Sequence, residues 1–133
     1  MKNQGRVSVW TVVFCTETER YLLGLRSGIV NNKNLWNIWG GSVDEGETLM
    51  SAARRELKEE AGLVGILQSL GSLVGKNTTM YFYLLLAPIE VKPSLDKETS
   101  KSSWFSMPKR QELGSKNRLH GPTAKLFKSS LIA

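Results

Sequence analysis

Residues 41–63, GSVDEGETLMSAARRELKEEAGL, constrain this chain more than any other stretch. A glycine opens the segment, Gly46 precedes a helix start, and three carboxylates follow. Glu56, Glu59 and Glu60 stand at i, i+3 and i+4, so a helix carries all three on one face. Like charges so spaced repel, which weakens a helix unless something positive neutralises them. A hard divalent cation with oxygen ligands is the natural neutraliser. A Glu-rich helix alone is more often a solvated face. The glycines and Glu47, at fixed distances from it, argue for a site instead.

Gly41, Glu47, Arg55, Glu56, Leu57, Glu59, Glu60, Gly62 and Leu63 occupy every fixed position of one long pattern. A chance match in a short chain is roughly one in a million or rarer at ordinary residue frequencies. The pattern resembles the signature of the Nudix hydrolases. That resemblance implies an α/β fold, the Nudix-type α/β/α sandwich with a mixed β-sheet and a catalytic loop-helix-loop. It covers residues 1–133 as one domain, with the signature at 41–63. The implied enzyme is a hydrolase acting on acid anhydrides in phosphorus-containing substrates.

At 133 residues and 41% hydrophobic, the chain is long enough to bury a real core. No apolar run approaches the roughly 20 residues of a membrane span, and the N-terminus is too polar for a signal peptide. Cys15 is the single cysteine and sits in an apolar pattern, so it reads as a small buried hydrophobe. Together these features predict a reducing, cytoplasmic setting. Residues 1–88 hold nine Lys/Arg and eight Asp/Glu, while residues 89–133 hold nine and four. A basic C-terminal third of this kind suits a polyanionic substrate or nucleic acid, though lysines also simply solubilise a surface.

Val7 to Phe14 reads as a strand buried on both faces, and Tyr21 to Arg26 as a second after a polar turn. Trp36 to Gly41 is a short extended piece. Thr48 is the expected N-cap of a helix from Leu49 to Ala61, with Gly62 as the residue that stops it. Leu49, Ala53 and Leu57 form its apolar stripe. Ile66 to Val74 and Thr78 to Ala87 pair through a turn at Gly75-Lys76-Asn77. Pro88 to Ser103 reads as a polar connection, Trp104 and Phe105 as a short strand, and Pro108 to Leu113 as a helical turn. Pro122, at N1, opens a last helix through about Leu131.

The expected chemistry follows from residue types. Glu56, Glu59 and Glu60 are the predicted ligands for Mg²⁺, with Mn²⁺ as a substitute, and the cation would offset charge on phosphates. Gly40-Gly41 lets backbone approach a ligand closely, and the resemblance implies a carbonyl ligand at Gly40. Arg55 lies near Glu47 and one turn from Glu59, suited to orienting carboxylates. Ala52 and Ala53 would leave space beside the carboxylate face. Glu98 stands where some members of the family supply an extra metal ligand, with Asp96 and Glu90 as competitors. The general base is either Glu56 or a carboxylate from a loop outside the signature. For substrate, the expected contacts are Arg26, Gly41, Trp39 and Asn117, with Lys33, Trp36 and His120 weaker. Trp39 replaces a proline that many members of the family carry.

The signature implies the reaction, hydrolysis of a nucleoside diphosphate linked to a group X, and leaves X open. Compact size resembles most the MutT-type enzymes that convert (deoxy)nucleoside triphosphates to a monophosphate and pyrophosphate. ADP-ribose, dinucleoside polyphosphates, nucleotide sugars and RNA 5′ ends remain alternatives, as does a non-catalytic nucleotide-binding domain. The expected partner is a nucleotide-type small molecule, with no membrane. A homodimer is compatible with the family, and no residue here marks its face.

Overall fold

The computed structural model describes residues 5–28 and 34–132. Its elements run β1 (Arg6–Cys15), β2 (Arg20–Arg26), β3 (Trp36–Asn37), β4 (Trp39–Ser42), α1 (Leu49–Ala61), β5 (Gln68–Gly75), β6 (Thr78–Ala87), β7 (Thr99–Phe105), α2 (Met107–Ser115) and α3 (Gly121–Lys128). They form one mixed sheet in the order β3-β2-β1-β6-β5, with β4 on β1 and β7 on β2. β1 and β6 are parallel along their whole length, Arg6 opposite Thr78 to Cys15 opposite Ala87. The other pairings are antiparallel.

Strands β1 and β2 pair only at Val13–Cys15 and then diverge. The chain at 36–42 fills the opening. Trp36 and Asn37 pair with β2, the path shifts at Ile38, and Trp39 to Ser42 pair with β1. The single extended piece expected from sequence is therefore two strands serving two neighbours. The glycines of β4 are thereby set directly under α1.

Side-chain alternation sends β1 residues to both faces, as predicted. Val9 and Val13 join Leu22, Tyr83 and Leu85 beneath α1, whereas Trp10 and Val12 join Leu23, Phe82, Leu113 and Leu126 beneath α2 and α3. The sheet is thus covered on both sides, the α/β/α arrangement expected.

Helix α1 starts and stops where its end residues dictate. Thr48 accepts a hydrogen bond from the Ser51 amide at 3.1 Å, and Gly62 ends the helix at φ 66°, a conformation that disfavours a Cβ. Its buried face is Ala52, Ala53, Leu57 and Ala61, with Leu49 only partly covered. This corrects the expectation for Ala52 and Ala53. They are core residues at 0% and 1% exposure and leave no space beside the carboxylates. Small side chains let α1 lie close on β4, and burying Leu57 adds about 2 kcal/mol.

Further boundaries differ from the sequence expectation, and β5 starts at Gln68 rather than Ile66. β7 begins at Thr99 rather than Trp104, because an edge strand can be polar on its open face while its backbone pairs with β2. Helix α2 spans Met107–Ser115, capped by Ser106. Helix α3 begins at Gly121 and ends at Lys128, three residues short of Leu131. Among the described residues, no helix is long and apolar enough to cross a membrane.

Candidate active site

The carboxylate face of α1 looks onto the Gly40-Gly41 step of β4. A Cβ on Gly41 would overlap the Glu56 carboxylate, so only glycine lets the strand and that side chain meet. The Gly40 amide donates to Glu60 Oε1 at 3.1 Å. The Glu56 and Glu60 carboxyls interact with each other, and two neighbouring carboxylates disfavour ionising together. Burial, then the neighbouring Glu56, pushes Glu60 up to about 9. Burial also raises Glu56 above the usual carboxylate range.

Arg55 organises the opposite side of this pair. Its Nε donates to Glu47 Oε2 at 2.6 Å and its Nη2 to Glu47 Oε1 at 3.0 Å, a two-point clasp. Nη2 also donates to the Ser42 carbonyl at 3.1 Å, and Nη1 to Glu59 at 3.2 Å. Glu56 lies 3.5 Å from Nη1. Glu47 is fixed in turn by the Asp44 amide at 2.8 Å. Its bonds to Arg55 and to that amide hold its carboxyl below the usual range.

Among the described residues no three carboxylate, imidazole or thiol groups converge as a ready-made metal cage. The Glu59 side chain is 58% exposed and pairs with Arg55 Nη1, the same nitrogen that lies beside Glu56. The donor chemistry still fits a hard divalent cation. Burial and like charge disfavour two adjacent carboxylates here, and a cation would offset that charge.

Other predicted residues separate into two groups. Arg26, Asn37, Trp39, Glu60 and Glu98 line one recess of about 20 Å³, so Arg26 and Glu98 do reach the carboxylates. Glu98 adds negative charge against Glu56, and Asp96 against Glu60. Asp96 also accepts from the Glu98 amide at 3.1 Å, shaping the loop. Glu90 instead pairs with Arg20 at 3.7 Å.

Trp39 and Asn117 require correction. Trp39 is 2% exposed, and its indole Nε1 donates to the Leu22 carbonyl at 3.1 Å. A ring so enclosed belongs to the core and leaves no face for a base. Trp36 is likewise buried, edge-on to Phe105. Asn117 adopts φ 55° in the exposed turn between α2 and α3, where its amide donates to the Gly114 carbonyl. It shapes the turn and lines none of the clefts described here. Lys33 lies outside the described residues.

Sequence reasoning missed Asn37, whose carboxamide oxygen accepts from Thr123 Oγ1 at 2.6 Å while that hydroxyl accepts from the Ile38 amide at 2.8 Å. This buried pair fixes the bend between β3 and β4. No spacing rule announces it, since the partners lie 86 residues apart. Also missed was a cleft of about 850 Å³ on the other side of Gly41 and Ser42. His120 lines it, with burial, then the Arg26 charge, holding its imidazole down to about 4 and so neutral.

A strand-embedded glycine pair facing a carboxylate helix through an arginine clasp defines a family, and comparison with known proteins agrees. The chain belongs to the NUDIX domain family, whose model matches residues 5–127. It is 33% identical over 105 residues to an oxidized purine nucleoside triphosphate hydrolase of Danio rerio, covering 74% of this chain and 66% of that protein. It is 29% identical over 101 residues to dihydroneopterin triphosphate diphosphatase of Escherichia coli K12, covering 76% and 64%. This chain therefore spans about two thirds of the length of these two relatives. The MutT protein of Methanosarcina mazei Go1 shares the fold at a TM-score of 0.76 and 21% identity, covering 96% of this chain and 94% of that one. Members of this family generally work with a divalent metal ion.

Proposed function

We propose that this chain hydrolyses a phosphoanhydride bond of a nucleoside triphosphate, releasing a nucleoside monophosphate and pyrophosphate, with Mg²⁺ as the resident cation and Mn²⁺ able to replace it. The observation that carries this reading is the Glu56–Glu60 pair held against Gly40-Gly41. Glu56, Glu60 and Glu98, with Glu59 after a change of side-chain rotamer, are the proposed ligands, and the Gly40 carbonyl is a further one. The cation, when bound, offsets charge on the phosphates and acidifies a water molecule.

The chain's own groups divide the remaining work. Arg55 holds Glu47 and Glu59 and keeps a positive charge beside Glu56, so it positions the carboxylates. Arg26, in the recess with Glu60 and Glu98, supplies a cation for a phosphate oxygen. Glu56, enclosed and with a raised pKa, takes the proton of the attacking water. The water oxygen bonds to phosphorus, the bridging P–O bond breaks, and the leaving phosphate oxygen departs as an anion. The triphosphate substrate is supported by the names of the relatives from Danio rerio and Escherichia coli.

The test is a panel of nucleoside triphosphates, ADP-ribose and dinucleoside polyphosphates with Mg²⁺, scored for monophosphate, pyrophosphate and phosphate. Turnover of triphosphates to pyrophosphate is expected. It should fall about a hundredfold or more in Glu56→Gln and less in Glu98→Gln. Tight nucleotide binding without turnover of any substrate would establish a nucleotide-binding module instead.

A further inference from the structure

The recess beside Glu60 and Glu98, at about 20 Å³, cannot hold a nucleoside. The cleft of about 850 Å³ can, and it shares the wall Gly41-Ser42 with the carboxylate site. Its floor includes Trp10 and Met80, and His120 with Pro122 from the start of α3 lines it as well. The charge of this cleft is one-sided. Arg6, Lys76 and Lys125 line it, whereas no Asp or Glu does. These cations come from three separate places, β1, the β5–β6 turn and α3. None of the three makes an ion pair among the described residues.

A plain nucleoside triphosphate has no use for such a lining. Its negative charge is concentrated at the scissile end, against Arg26 and the cation, and its base and ribose are neutral. Three cations around the far cleft match a substrate anionic at both ends. Resting on the reading above, we propose that the preferred substrate is a nucleoside 5′-polyphosphate that also bears a phosphoryl group on its ribose 3′ oxygen, seated against Arg6, Lys76 and Lys125. That chemistry is shared by a free nucleoside 3′-phosphate 5′-triphosphate and by the first nucleotide of a 5′-triphosphorylated oligonucleotide. The phosphates attract through the open cleft and are screened by salt.

The first experiment is binding, which does not depend on turnover. Adenosine and guanosine 3′,5′-bisphosphates are titrated against their 5′-monophosphates, with tryptophan fluorescence as readout, at two salt concentrations. At least one bisphosphate should bind about tenfold more tightly than its monophosphate at low salt, with the advantage shrinking as salt rises. Arg6→Glu, Lys76→Glu and Lys125→Glu should each erode the bisphosphate-to-monophosphate ratio. Lys128→Glu, exposed at the other end of α3 and outside the cleft, should leave the ratio as it is. Equal affinity for both ligands overturns the inference, as does a ratio that survives in the three cleft variants or falls equally in Lys128→Glu. The second experiment compares KM for a nucleoside triphosphate, its 3′-phosphate derivative and a 5′-triphosphorylated dinucleotide. A lower KM for the 3′-phosphate derivative alone identifies a free nucleotide, and one for the dinucleotide as well identifies an oligonucleotide end. Hydrolysis of the triphosphate with no 3′-phosphate advantage sinks the inference and leaves the hydrolase reading standing. A binding advantage without hydrolysis does the reverse.

Discussion

The Gly40 amide donates to Glu60 Oε1 at 3.1 Å, tying the last carboxylate of α1 to a strand twenty residues earlier in the chain. This bond accepts a charge, yet burial and Glu56 oppose that charge more strongly. Burial and like charge therefore disfavour ionisation of this pair, an opposition relieved either by a proton or by a cation.

Stability should consequently depend on pH. The folded-state value of Glu60, about 9, lies above its ordinary 4.5, so the folded protein holds this proton more tightly than the unfolded chain. The stabilisation is complete below pH 4.5 and is lost as the pH rises toward 9. In chelator, Tm should decline across that window, and Glu60→Gln should flatten the decline. Addition of Mg²⁺ at pH 8 should raise Tm in the parent protein and do so much less in Glu60→Gln. A parent Tm insensitive to pH between 5 and 9 would contradict the raised value of Glu60.

Arg55→Lys keeps the charge and removes the two-point grip on Glu47. Activity should drop about 10- to 100-fold, the usual effect of losing a group that orients metal ligands. Apparent affinity for Mg²⁺ should weaken alongside. Thermal melting and Mg²⁺ titrations of turnover provide the measurement. Wild-type Mg²⁺ affinity in the lysine variant would show that the clasp is dispensable.

Gly41→Ala introduces a methyl group where the Glu56 carboxylate now sits. The fold should survive, because the methyl meets the far end of a flexible side chain rather than backbone, while turnover should fall about a hundredfold. Gly46→Ala is the comparison. Nothing lies near its Cβ position, so its cost is limited to the backbone strain of φ 86°, about 1 kcal/mol. Equal losses of turnover in the two variants would refute a specific role for the Gly41–Glu56 approach.

Thr123→Val removes a buried hydroxyl that serves Asn37 and the Ile38 amide together. Two enclosed polar groups lose their partner, at a cost of about 2–4 kcal/mol in unfolding free energy. Thr123→Ser retains the hydroxyl and should cost about 1 kcal/mol for the missing methyl. Urea denaturation of both variants tests the difference, and a valine variant as stable as the serine one would remove this bond from the account of the β3–β4 bend.

Local rules sufficed wherever the deciding groups are close in sequence. Thr48 and Gly62 bracket α1 because capping acts within a few residues, and the i, i+4 relation of Glu56 and Glu60 makes them neighbours on any helix. The strands that alternate apolar residues were legible for the same reason. β7 was not, because its polar sequence is ordered by the backbone of β2, which no local preference records. Trp39, an expected substrate contact, is core, since its burial depends on where β1 and β2 part.

By itself the sequence determined the family, the helix that bears the carboxylates and the sequence positions of the glycines that face it. Tertiary structure decided which groups meet there. It joined Glu98 and Arg26 to Glu60, left Glu59 largely exposed on Arg55, and put Trp39 and Asn117 to structural use. It also gathered Arg6, Lys76 and Lys125 around one cleft. The physical reason is that burial and charge at a site are sums over strands and loops far apart in the chain, and those sums exist only once the sheet has closed around them.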